Sequence, residues 1–235
     1  MIIQIEAPGV ATVSLAGGER FCYAKTYQAG GPFGMRVVPP FPFSSPIARL
    51  LHGRYVLAEV IAPASGAVIL LHETQPLNQF HVVRLDKDQH AFINCAHLVG
   101  FSFDAGGGIG TQLHRFISPA CWIIGHPLPV VAHGPGSVLL SGCRLVEEHG
   151  RLDILSRQIV TFDAAARWTV CAPASDARLF SRIWNVLSSQ CRILFLDEAI
   201  VLRSQVMPTS VTHMRMVRFL LHLGILGLIA LLLRH

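Results

Sequence analysis

Twelve histidines and six cysteines are the residues of this chain that could hold a metal ion. Imidazole nitrogens and thiolates are the ligands that zinc and related metals prefer. Cys95 and His97 are two apart, so on a strand they would share one face. A site on neighbouring strands would need a His-x-His pair near an acidic residue, and the sequence has no His-x-His. We therefore expect scattered core and surface histidines and no metal site, although five residues are candidate ligands: His90, Cys95, His97, His126 and His133.

The sequence also gives little support for nucleophilic or acid–base catalysis. Ser137 lies in Gly-Pro-Gly-Ser-Val rather than in the Gly-x-Ser-x-Gly turn of a hydrolase. Glu147 and Glu148 are adjacent, so on an extended strand they point to opposite faces and cannot act on one substrate atom. The glycine-rich stretch 106–110 has no helix after it to bind phosphate, which favours a flexible loop. These patterns predict a chain that is not an enzyme and that holds no cofactor.

The charge distribution argues against nucleic acid as a partner. The net charge is +5, but Arg215, Arg218 and Arg234 all follow the last acidic residue. Without those three, 16 basic residues face 14 acidic ones, which leaves no basic surface for phosphates. The six cysteines form no Cys-x-x-Cys pair, and we expect them to be reduced core residues. The first residues lack the pattern of a signal peptide and predict a first strand.

The last part of the chain predicts a single transmembrane helix at residues 213–235. The run from Phe219 to Leu233 is interrupted only by His222. With the residues back to Met216 it would be roughly 22–27 Å long as a helix, which is short but sufficient if Arg218 reaches the interface. Helices lying in the interface or buried in the core are the alternatives. The membrane-anchoring residues would be Phe219, Leu220, Leu223, Ile225, Leu226, Leu228, Ile229 and Leu232.

The flanking charges predict the orientation of this helix. Arg215 and Arg218 precede it, and Arg234 follows it together with the terminal carboxylate. The positive-inside rule then places the N-terminal body in the cytoplasm, with the chain in the inner (cytoplasmic) membrane as a single-pass, tail-anchored protein.

The body at residues 1–172 shows the pattern of β-structure. Apolar runs of about four to eight residues recur between Gly, Pro, Asp and Asn, at spacings typical of a sandwich or barrel. Stretches 83–104 and 144–163 share one order: strand, polar turn, strand, turn and Leu/Ile-Val-x-Phe. Each follows a Gly-x-Val-x-Leu strand, and a weaker third copy lies at 12–21. Because no such unit buries its own apolar face, the units predict a pseudo-symmetric β-sandwich or prism.

Four segments of the body resemble one known family: 15–19, Gly66-x-Val68-x-Leu70, 134–140 and 159–163. Over about residues 2–170 the chain resembles the altered-inheritance-of-mitochondria biogenesis proteins, as a bacterial-type member with an added C-terminal helix. That family has a fold similar to the tryptophan-attenuation (TRAP-like) β-sandwich. The resemblance implies an all-β, TRAP-like pseudo-repeat sandwich and a scaffold or assembly role at membranes. It implies no catalytic residues.

Two further segments suggest contact with a partner. Residues 173–212 predict an amphipathic helix, a short strand pair turning at Asp197-Glu198, and a linker. The helix either docks on the sandwich or contacts a partner or the membrane surface through Phe180 and Trp184, with Arg215 and Arg218 nearby. The stretch 38–43 is a core-packing loop or, through Phe41 and Phe43, a docking patch.

Together these features predict a non-enzymatic, membrane-anchored accessory or assembly subunit. It would dock a cytoplasmic β-sandwich onto an integral membrane complex of respiratory or photosynthetic type, with the lipid bilayer as its other partner. The first alternative is a freestanding homo-oligomeric membrane scaffold. The second is a β-sandwich that binds a small ligand or metal.

Overall fold

The computed structural model describes residues 1–31, 37–38, 57–111, 130–171 and 192–206. Within these ranges the chain is built of strands and one-turn 3-10 helices and contains no α-helix, so the predicted all-β class is confirmed. None of the described residues form a helix long and apolar enough to cross a membrane. The strands are β1 (Ile2–Ala7), β2 (Val10–Leu15), β3 (Arg20–Tyr23), β4 (Gln28–Gly30), β5 (Val37–Val38), β6 (Leu57–Ile61), β7 (Ala67–His72), β8 (Asn78–Leu85), β9 (His90–Ile93), β10 (Leu98–Phe103), β11 (Gly108–Thr111), β12 (Val130–His133), β13 (Gly136–Gly150), β14 (Asp153–Leu155), β15 (Ile159–Asp163), β16 (Trp168–Cys171), β17 (Arg192–Phe195) and β18 (Ala199–Val206).

The strands form one large sheet and two small ones. The large sheet has 11 strands in the order β11-β12-β9-β15-β18-β13-β10-β3-β6-β5, and β8 joins it by pairing with β13. A four-stranded sheet has the order β1-β2-β7-β4, and a three-stranded sheet has the order β14-β17-β16. All of the pairs are antiparallel.

Side-chain alternation along the large sheet fills a central core and two flanking cores. Ala91 and Ile93 enter the central core, which the large sheet encloses, whereas Phe92 between them enters the flanking core under the three-stranded sheet. Leu139 packs instead against the four-stranded sheet in the other flanking core. Because successive side chains of a strand point to opposite faces, one strand can serve two cores. The small sheets thus cover the outer faces of the large one, as in a sandwich.

Within the described ranges, a strand, a 3-10 turn and a second strand recur three times. The 3-10 turns are Lys25–Tyr27, Cys95–His97 and Ser156–Gln158. The residues that follow them have φ between −70° and −72° and ψ between 120° and 125°. In each copy the pairing of the second strand shifts at the same place, between the first and third residues after the turn. The predicted three-fold repetition is therefore present, down to a shared bulge.

The structure differs from the predicted repeat in one respect. The stretch 66–70 leads into a separate strand, β7, which precedes β8. The matching stretch 136–140 is instead the first part of β13, a single strand of 15 residues. The two Gly-x-Val-x-Leu segments are therefore not equivalent, because β13 corresponds to β8 in its unit rather than to β7.

The strand pair expected between residues 192 and 202 forms only in part. Two strands are present, and the chain turns at residues 196–198 as predicted. They do not pair with each other, since β17 pairs with β14 and β16, whereas β18 pairs with β13 and β15. Arg167 Nε and Nη2 hold the turn by donating to the carboxylate of Asp197, at 2.6 and 2.7 Å. The turn therefore carries the chain from the three-stranded sheet into the large one.

Candidate functional site

A groove of about 440 Å³ opens on the large sheet. Its walls are β8 with the turn that leads into β9, and the facing parts of β13, β15 and β18. Val83, Leu85 and Leu202 give it an apolar floor, and these side chains also pack in the central core. Several titratable side chains surround this floor, which makes the groove the candidate site.

A corner in β13 brings this strand to the groove. Cys143 is the last residue paired with β8 and the first paired with β18. Arg144 has a φ of +46°, which turns the strand at this point. A Cβ on Gly142 would lie 2.6 Å from Leu145 Cδ2, so glycine allows Leu145 to fold back over the corner. Past it, Glu147 projects towards the groove.

Glu147 lies between two histidines. Its Oε1 is 3.0 Å from His149 Nε2 on the same strand, and its Oε2 is 3.8 Å from His81 Nε2 on β8. Burial lowers the pKa of His81, and the nearby Glu147 carboxylate partly offsets this shift by favouring the imidazolium. The neighbouring Glu148 instead accepts from Arg203 at 2.5 Å, which confirms that the two glutamates point to opposite faces. The Glu147 carboxylate therefore lies at the groove, whereas the Glu148 carboxylate does not.

Two further histidines contact each other at the groove, where His90 is a lining residue. His90 and His133 are cross-strand partners on β9 and β12, and their Nδ1 atoms lie 2.8 Å apart. One of these nitrogens must be unprotonated to accept the hydrogen bond, so both rings cannot be charged while it is kept. Burial, followed by repulsion from His90, lowers the pKa of His133. Among the described residues, no third side chain completes a metal site with this pair.

The remaining charges of the groove are mostly negative. Asp88 lies on the turn after β8, and Asp163 lies at the end of β15, where its Oδ1 accepts from the amide of Ala165 at 2.8 Å. Both carboxylates are exposed. Among the described lining residues, Arg84 is the single guanidinium, and no ion pair joins it to them. When the histidines are neutral, the described lining of the groove carries three negative charges, on Glu147, Asp88 and Asp163, and one positive charge, on Arg84.

The structure brings together two of the five candidate metal ligands, His90 and His133. Cys95 and His97 lie in a 3-10 turn, so they do not share the face of a strand. Cys95 is buried in the central core, and His97 Nδ1 donates to the carbonyl of Ser141 at 2.7 Å. His126 lies outside the described residues. Although His81, Glu147 and His149 lie near one another, no three or more His, Cys, Asp or Glu residues in the described ranges are arranged so that they could hold a metal ion.

The other sequence predictions agree with the structure only in part. Cys22, Cys95 and Cys143 are buried free thiols as expected, but Cys171 is exposed at the end of β16. The stretch 106–110 turns directly into β11, whose first residue is Gly108. The predicted anchor and contact residues all lie outside the described ranges: Phe41, Phe43, Phe180, Trp184, Arg215, Arg218, Phe219, Leu220, Leu223, Ile225, Leu226, Leu228, Ile229 and Leu232.

Sequence reasoning did not find the groove. One local signal was available, because Glu147 and His149 are two apart and therefore share a face of an extended strand. His81 lies 66 positions before Glu147 and meets it only because of the corner in β13. Asp163 and Arg84 carry no pattern that marks them in the sequence.

The described residues define an all-β protein of repeated units with a groove on its large sheet. No family model matches the chain, and no curated protein matches it. The chain is similar in structure to protein SPYM3_0169 from Streptococcus pyogenes, solved by X-ray crystallography, with a TM-score of 0.61 and 8% identity. The match covers 87% of this chain and 92% of that one. At this identity the likeness concerns the fold alone, and membership of the altered-inheritance-of-mitochondria family stays a prediction.

Proposed function

We propose that the chain is a non-enzymatic accessory or assembly subunit, anchored in the inner membrane by its C-terminal segment. Its TRAP-like β-sandwich body lies in the cytoplasm and docks onto an integral membrane complex of respiratory or photosynthetic type. The observation that carries this proposal is the apolar run of residues 219–233, which has the composition of a membrane span. The resemblance to membrane-biogenesis scaffolds points to the same role.

The surface of the body supports a role in binding. On the four-stranded sheet, Ile3 and Ile69 face the core, so the alternate positions face outward. Ile2 and Val68 occupy two of these positions, on either side of Ser14, and they are 64% and 59% exposed. Leu70 adds a third exposed aliphatic side chain two residues further along β7. Several exposed aliphatic side chains near one another on an outer face favour a surface that contacts another molecule.

Extraction of native membranes with a mild detergent tests the proposal. The extract is separated by size, and mass spectrometry identifies the proteins that migrate with the chain. Migration with a large complex at fixed stoichiometry supports the proposal, and the companion proteins name the process. Migration alone as a small symmetric oligomer contradicts it and favours the freestanding scaffold.

A matched pair of variants tests the anchor separately. Leu226→Arg places a charge at the centre of the apolar run, which costs about 2.5–3.5 kcal/mol for a spanning helix. We expect this variant to move into the soluble fraction after carbonate washing. Ser210→Arg adds the same charge outside the run and should stay in the membrane. Recovery of the unaltered chain without detergent would contradict the anchor.

A further inference from the structure

We propose that the groove binds an extended peptide segment carrying basic side chains, which adds as a strand to the free edge of β8. This surface is distinct from the apolar outer face of the four-stranded sheet. The proposal holds whether or not the body docks onto a membrane complex.

The edge of β8 is available for such pairing. Within the described ranges β8 pairs with β13 alone, so its second edge has no strand beside it. The five consecutive residues 81–85 all line the groove. Successive side chains alternate between faces, so an unbroken run is expected where the edge of the strand, rather than one face, borders a groove. The backbone N–H and C=O groups of that edge are ready-made partners for another strand.

The floor of the groove suits the side chains of an added strand. Val83 is half-buried, and Ile200 on the opposite wall is 54% exposed. An extended segment places every second side chain on one face, so alternate apolar side chains can reach Val83 and Ile200. At about 3.3 Å per residue, the five groove-lining residues of β8 match an added segment of about five residues. The remaining side chains of that segment point towards the rim.

The charges at the rim of the groove favour peptides with basic side chains. Among the described lining residues, the carboxylates of Glu147, Asp88 and Asp163 outnumber the guanidinium of Arg84. Lysine or arginine side chains on the added strand would lie among these carboxylates, whereas glutamate or aspartate side chains would be repelled. Protonation of His81 would reduce the negative charge and weaken binding of a basic segment.

Fluorescence anisotropy with labelled synthetic peptides tests this, using the full-length chain in detergent micelles. The probe is the heptapeptide Thr-Val-Lys-Val-Lys-Val-Thr. A second peptide has glutamate in place of both lysines, and a third has the lysine sequence with N-methyl groups on residues 2–6, so that neither edge of the strand can donate those backbone hydrogen bonds. We expect saturable binding of the first peptide. The other two should bind at least ten-fold more weakly, because the second loses its attraction to the carboxylates and the third loses its backbone hydrogen bonds to β8.

Variants of the groove test the assignment to these residues. Glu147→Gln and Asp163→Asn keep the size of the side chain and remove one charge each, so each should weaken binding of the lysine peptide about two- to five-fold. Glu148→Gln removes a carboxylate from the other face of the same strand and should leave binding unchanged. Equal thermal melting midpoints of the groove variants show that they are folded.

Hydrogen exchange of the chain supplies an independent measurement. Addition of the lysine peptide should slow exchange of amides within residues 81–85, because an added strand covers that edge. The proposal is overturned if the lysine peptide does not bind, if the N-methylated peptide binds equally well, or if Glu148→Gln weakens binding as much as Glu147→Gln. Protection elsewhere without protection of residues 81–85 also contradicts it.

Discussion

Replacement of Phe195 by alanine tests whether residues 192–206 belong to the folded body. Phe195 is 1% exposed, and its ring contacts that of Phe162 edge to face, with the centroids 5.3 Å apart. It joins the three-stranded sheet to the flanking core, and Ile193 beside it is fully buried as well. The ring therefore holds the segment that leads into β18 and one wall of the groove.

The size of the effect follows from this burial. Moving a phenylalanine side chain from the core to water costs about 1.5–3 kcal/mol, and the cavity left by the ring raises the loss to about 3–5 kcal/mol. A total stability of about 5–15 kcal/mol is usual for a domain, so this one change should remove a large part of it. The neighbouring Leu196 is 42% exposed, and Leu196→Ala should cost less than about 0.5 kcal/mol.

Urea denaturation of the full-length chain, followed by circular dichroism of the strands, measures both variants. Phe195→Ala should lower the midpoint strongly, and Leu196→Ala should leave it almost in place. If Phe195→Ala cost less than about 1 kcal/mol, or if the two variants behaved alike, the packing of β17 against the large sheet would be refuted.

Three further predictions concern the core and its titratable groups. Gly100→Ala should lose about 1–3 kcal/mol in a thermal melt, because a Cβ there would lie 2.7 Å from the carbonyl oxygen of Cys22, whereas Gly108→Ala meets no atom within 4 Å and should be neutral. The pKa of His133 is lowered in the fold, so the unfolded chain binds the proton more readily. Stability should therefore fall as the pH drops below about 6.5, and the melting temperature of His133→Asn should depend less on pH between 7.5 and 5. Burial raises the pKa of the Cys22 thiol to about 12, so iodoacetamide at pH 8 should modify the exposed Cys171 and spare Cys22, as peptide mapping would show; equal labelling would contradict the burial.

Local patterns in the sequence determined which segments are strands. The predicted Gly-x-Val-x-Leu strand at 66–70 corresponds to β7 within a few residues, because apolar side chains between turn residues specify an extended segment on their own. The repetition was also visible, since each copy has its own polar turn before the strands that flank the 3-10 helix.

Pairing between strands was decided by the tertiary structure. Residues 192–202 have the pattern of a hairpin, yet β17 and β18 enter different sheets. Short-range patterns do not distinguish a hairpin from two strands that enter different sheets, because each arrangement needs two strands and a turn. The exposure of Cys171 could not be predicted for the same reason. It depends on which face of β16 packs against other strands, and the local sequence does not show this.

The groove likewise exists only in the fold. The sequence by itself determined that Glu147 and His149 share a face and that Glu148 points away from them, because alternation along a strand is a local property. Only the tertiary structure decided that His81 faces Glu147 and that the carboxylates of β13 and β15 surround one apolar floor. Such contacts depend on the corner at Arg144 and on pairings between strands far apart in the chain, and no local pattern of side chains records them.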